Sequence, residues 1–155
     1  MNKPKSLLIT LIGGLMMVYA IHGEAHDQSG KLGPDPSATD YYIVTCFKDD
    51  NDNVEPSLLE VSLMAYSKSP AIVSLQLAST NPKTIANITD PIGGDKSPSQ
   101  SSKVANLDTN ENGGGIYLIT VDKSAAGTQS YQFKYHCKGQ NGDHVGTQIS
   151  TRQNQ

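Results

Sequence analysis

Ser130-Tyr131-Gln132-Phe133-Lys134-Tyr135-His136-Cys137 decides the fold. In an extended chain Tyr131, Phe133, Tyr135 and Cys137 fall on one side and Gln132, Lys134 and His136 on the other, so the segment reads as a strand with one apolar face. The same two-residue period recurs upstream. Val61, Leu63 and Ala65 stand against Ser62 and Met64, and Ile72, Val73, Leu75 and Leu77 against Ser74 and Gln76. Short runs rich in Val, Ile, Tyr and Thr at 41–47, 58–66, 71–77, 84–88, 104–107, 116–121, 130–137 and 145–150 predict seven or eight strands. Polar loops rich in Gly, Asn, Asp, Ser and Pro separate them at 49–57, 89–102, 108–115 and 138–144. Nowhere do apolar residues recur at helical spacing over three turns, so helix content is expected to be close to nil. Without helices to make parallel crossovers the strands must pair antiparallel. The expected fold class is all-β: a small antiparallel two-layer sandwich, immunoglobulin-like or jelly-roll-like, with its domain at 40–151 and a short tail at 152–155.

The cysteines, Cys46 and Cys137, number two and lie in the first and seventh of these runs. An even count in an exported chain reads as one disulfide, closing a loop of 92 residues. On the chain-entropy model such a bridge is worth roughly 4 to 5 kcal/mol. Bridging between sheets and bridging between neighbouring strands both fit the sequence.

Export is read from the amino terminus. Lys3 and Lys5 precede an apolar stretch from Leu7 to Ile21, followed by the polar piece His22-Gly-Glu-Ala25. This is the layout of a signal peptide, 1–25, and the stretch is shorter than the roughly 20 residues that span a bilayer. Small residues at Gly23 and Ala25 predict cleavage after Ala25; cleavage after Ala20 also satisfies the rule. The expected mature protein is periplasmic or secreted, with no membrane span. Residues 26–39, with two Pro, two Gly and few apolar side chains, are expected to form a flexible leader. The whole chain has 12 Lys plus Arg and 15 Asp plus Glu, and 1–25 contain Lys3, Lys5 and Glu24, so the remainder carries a net charge of −4. With Arg152 its one arginine and no basic cluster, it does not suit nucleic acid or an anionic membrane.

The order Asp40-Tyr-Tyr-Ile-Val44, strands 59–63 and 72–77, then Gly115-Ile-Tyr-Leu-Ile-Thr-Val121, Ala126-Gly127 and Ser130-Tyr-Gln-Phe-Lys-Tyr135 resembles the bacterial pre-peptidase C-terminal domain, a small β-sandwich appended to secreted hydrolases. That resemblance implies a closing hairpin over 115–135 and a non-catalytic domain concerned with adhesion or secretion. The cysteine pair and the strand after Cys137 lie outside the pattern.

Three constellations suggest metal chemistry. Asp108-Thr-Asn110-Glu-Asn112-Gly113 sets oxygen donors at alternate positions before a glycine, the opening of a calcium loop, although Ile119 stands where a terminal glutamate belongs. Asp49-Asp-Asn51-Asp-Asn53 has Glu60 at that distance but Val54 in place of the glycine. Cleavage after Ala25 makes His26 amino-terminal, and its amine and imidazole then form a chelating pair suited to copper, with His144 and Asp143 completing the set and His136 a second candidate. A terminal histidine with a later Asp/His pair resembles the exported CopC-type copper proteins, which space that pair by one residue where Asp143 and His144 are adjacent. A nucleophile motif, a zinc-protease helix and a glycine-rich phosphate loop are all missing. The expectation is therefore a non-catalytic binding or accessory module for an unknown protein or extracellular ligand. The alternatives are a periplasmic copper-binding protein and a calcium-stabilised adhesion domain.

Overall fold

A computed structural model describes residues 26–48, 54–79, 83–105 and 115–155. The described strands are β1 (His26–Leu32), β2 (Asp40–Phe47), β3 (Pro56–Ala65), β4 (Val73–Ser79), β5 (Ile85–Asp90), β6 (Ser102–Ala105), β7 (Gly115–Lys123), β8 (Gln129–Gly139) and β9 (Gly146–Gln153). They form two sheets, β1-β8-β3-β6 and β5-β4-β7-β2-β9, with every pairing antiparallel. The expected all-β sandwich is what the chain adopts. Among the described residues no helix is long and apolar enough to cross a membrane.

The alternation that defines the strands also defines the core. Tyr131, Phe133, Tyr135 and Cys137 of β8 point inward with Leu59, Val61 and Leu63 of β3, and they meet Tyr42, Val44, Val73, Leu75, Leu77, Ile119 and Val121 of the other sheet. Each fully buried Leu, Val or Ile contributes roughly 1.5 to 3 kcal/mol before the entropy of ordering it is subtracted. Tyr42 and Phe133 meet across the interface edge to face, with ring centroids 5.2 Å apart. Cys46 of β2 and Cys137 of β8 are bonded, with Cα atoms 5.5 Å apart and both residues fully buried. Since β2 and β8 belong to different sheets, the bridge runs from sheet to sheet.

Two expectations are corrected. Residues 26–32, placed in a flexible leader, form the edge strand β1 along β8 from His26 opposite Tyr135 to Leu32 opposite Gln129. Its sequence shows no alternation because its burial depends on β8: Gly30 leaves room for the Tyr131 ring, which a Cβ there would overlap, and only Leu32 is fully covered. The closing hairpin over 115–135 is not formed, because β7 and β8 lie in opposite sheets and the Gly127 turn, at φ 113°, carries the chain across the sandwich. Alternation marks an inward face but does not say whether two consecutive strands pair side by side or face each other.

The tail is fastened as well. Asp40, fully buried, accepts hydrogen bonds from the Tyr131 hydroxyl at 2.5 Å and from the Gln155 backbone N–H at 2.7 Å. Tyr42 and Tyr131 share a hydroxyl–hydroxyl bond of 2.7 Å, and burial with the neighbouring Asp40 pushes the Tyr131 phenol far above its ordinary pKa. This network is sealed inside the fold and reads as a structural tie between the sheets.

Candidate functional site

The 11-residue connection from β5 to β6 does not loop freely into solvent. Asp90, at the end of β5, is buried and accepts from the Ala65 N–H at 2.7 Å and the Ile92 N–H at 3.1 Å. The chain then follows the part of the β3 edge that β6 leaves unpaired. Gly94 N–H donates to the Ala65 carbonyl at 2.8 Å and Ser99 N–H to the Leu63 carbonyl at 2.7 Å, while Leu63 N–H donates to Ser99 Oγ at 2.9 Å. Gly94 has φ 82°, a conformation that favours glycine, and its missing Cβ lets Lys68 pack close against the turn. Asp95 Oδ1 accepts from Ser97 N–H at 2.8 Å and shapes the outer turn.

Between this pinned segment and β5 lies an open cleft of about 520 Å³. Asn87, Thr89, Asp95, Ser97, Gln100 and Ser101 line it with hydroxyls, amides and a carboxylate, and Ile88 and Ile92 add an apolar surface. Ile92 stands 62% exposed. Beside it Glu60 accepts from Ser101 Oγ at 2.8 Å and pairs with Lys138 at 2.5 Å, which steadies the wall. The described lining holds no histidine, cysteine or lysine. The arrangement suits hydrogen bonding to a polar ligand. Sequence reading assigned this segment to a loop. An 11-residue connection punctuated by Pro91, Gly93, Gly94 and Pro98 is the signal that it has a built form.

The copper set is not assembled. The His26 ring stacks on Tyr135 at 5.6 Å, on the inner side of its sheet. His144 pairs with Lys138 as an isolated bridge, and its ring meets that of His136 edge to face at 4.9 Å on the outer side. Asp143 is engaged by Asn141, whose side-chain amide donates to the carboxylate and whose Oδ1 accepts from Asp143 N–H at 3.2 Å. Among the described residues no three His, Cys, Asp or Glu side chains gather as a metal-binding group. Asp108, Asn110 and Asn112, and the set 49–53, lie outside the described residues. Asp122 lies on β7 opposite Ser74, where burial raises its pKa.

No protein-family model matches this sequence, and no curated protein matches it. Among solved structures it is similar to the Yersinia pseudotuberculosis-derived mitogen, at 11% sequence identity over 84% of this chain and 97% of that chain, with a TM-score of 0.46. No residue role is transferred from that likeness.

Proposed function

We propose that this chain is exported and acts as a non-catalytic binding or accessory module, holding a polar ligand in the cleft between β5 and the segment 91–101. The observation that carries the reading is the pinned, hydroxyl- and amide-lined cleft of about 520 Å³. A site braced by backbone hydrogen bonds on one side and a strand on the other is pre-organised, so binding does not first have to order a loop. Export is supported by the signal-peptide layout of 1–25 and by the buried inter-sheet disulfide, a bond at home in oxidising compartments.

Native mass spectrometry of protein recovered from the periplasm or the medium tests export, with a mass matching 26–155 less two hydrogens expected. The cleft is tested by amide NMR with a panel of neutral mono- and disaccharides, chosen for the hydroxyl and amide lining. Shift changes confined to 87–102 and abolished by Asn87→Ala support the reading. Robust hydrolytic or redox turnover by the purified protein would remove it.

A further inference from the structure

Where the segment 91–101 passes the edge of β3 it borders a second cavity, on the outer side of β3 and β8. Register lays out the floor: Ser62 stands opposite Lys134 and Met64 opposite Gln132, and all four point away from the core. Lys96 and Pro98 form the facing wall, and the space between is about 160 Å³. Lys96 is held between two anchored points, since Gly94 N–H donates to the Ala65 carbonyl at 2.8 Å and Ser99 N–H to the Leu63 carbonyl at 2.7 Å. Among the described residues it is also the one non-glycine with a positive φ, 62°. A lysine in that conformation crowds its Cβ against the backbone, and such strain persists where the surroundings fix it, as they do at ligand clamps.

We propose that this cavity binds a small carboxylate carried on a short apolar stem. The donors select the charge. Lys96 and Lys134 bring ammonium groups, which donate and never accept, and no Asp or Glu lines the space. Gln132 is turned to match them: its Oε1 accepts from the Tyr66 hydroxyl at 2.8 Å, which leaves its NH2 group for a ligand oxygen. Among the described residues the lysine–carboxylate pairs are Lys48–Glu55 and Lys138–Glu60. Asp27, opposite Lys134 on β1, and Asp95, next to Lys96 in the chain, stand outside ion-pair distance of them. Two cations and an amide donor thus converge on a space with no acceptor of full charge, and a carboxylate can take a charge-assisted hydrogen bond from each. Met64 and Pro98 supply the apolar surface for the stem. The volume lies below the roughly 300 Å³ at which pockets for drug-sized ligands begin, so the ligand is one charged group with few carbons. Pro98 also lines the cleft on the other flank of the segment, but this proposal goes beyond the cleft reading and does not depend on it.

Titration of the disulfide-bonded protein with sodium butyrate, followed by NMR at constant ionic strength, tests it. Saturable shifts at Ser62, Met64, Lys96, Gln132 and Lys134 are expected, with a dissociation constant of about 1 mM. Butyramide, the same shape without the charge, should not produce them. Inorganic phosphate, charged but without a stem, should bind about tenfold more weakly. Lys134→Met should weaken butyrate by about tenfold or more. Lys96→Asn should do the same while holding or raising the unfolding midpoint, because asparagine tolerates the left-handed backbone. Lys31→Gln removes an exposed lysine of β1 outside the cavity, and Asn87→Ala alters the cleft; both should leave butyrate binding unchanged. No saturation by about 50 mM butyrate, equal binding of butyramide or phosphate, indifference to both cavity-lysine variants, or an equal loss in Lys31→Gln overturns the proposal.

Discussion

The two sheets present the same inner face and opposite outer faces. Inward, both offer alternating Val, Leu, Ile and aromatic side chains that close over one core. Outward, β1-β8-β3-β6 carries Asp27, Lys31, Lys134, His136, Lys138 and Glu60, and the segment 91–101 crosses its β3 edge. The outer face of the other sheet carries Ile85, Ala78, Leu118 and Ile43 in register. Inner faces are set by the need to bury apolar surface, which any two-layer fold shares. Outer faces are free of that need, so they can differ: one mixes charges of both signs, and the other sets an apolar row among hydroxyl and amide side chains.

The inner contacts give the largest expected effects. Cys46→Ala removes the covalent tie between the sheets and should lower stability by about 2 to 5 kcal/mol in denaturant unfolding. A smaller loss would mean that packing alone aligns them. Leu32→Ala should cost about 2 to 4 kcal/mol, because its side chain is fully buried where β1 meets the core. A cost near zero would return 26–32 to the status of a leader and leave β8 as the edge. Asp40→Ala removes the acceptor of the Tyr131 hydroxyl, leaving it only Tyr42, and the partner of the Gln155 N–H, and should cost about 1 to 3 kcal/mol. The same substitution should speed amide exchange at Gln155, which distinguishes loss of this network from general loosening.

How far the sequence carried follows from the same division. The strands of the core were legible because inward burial imposes a period of two, and the cysteine pair because a chain with a signal-peptide layout and an even cysteine count reads as disulfide-bonded. The edge strand β1 was not legible. His26, Asp27 and Gly30 read as loop residues, and only the Tyr131 ring packed on Gly30 gives the glycine a role in a strand. Nor was the cleft, whose shape rests on Asp90 reaching the Ala65 amide from 25 residues away. His26 is not brought beside Asp143 and His144, because residues 26–32 pair along β8 and hold His26 against Tyr135. The apolar row on the outer face needs cross-strand register, which alternation within each strand does not contain.

The smallest expected effect belongs to the charged outer face and is a dependence on pH. His136 holds a buried Nδ1 with no hydrogen-bond partner, and its pKa is lowered below 6.5 chiefly by desolvation. Neighbouring charge adds to this: His144 from its loop, Lys138 from the same strand and His26 from β1 lower it, while Glu60 on β3, opposite His136, works the other way. Between the folded value and 6.5 the unfolded chain therefore binds more protons than the native one, so stability rises with pH in that window. The contribution is fully present above 6.5 and is lost as pH falls through the unfolded value toward the folded one. Urea midpoints measured between about pH 7 and pH 5 should fall on acidification. His136→Gln should flatten that slope, with little change at the upper end. An unaltered slope in the variant would assign the pH dependence to other groups and leave the histidine pair as a neutral packing contact on an otherwise charged face.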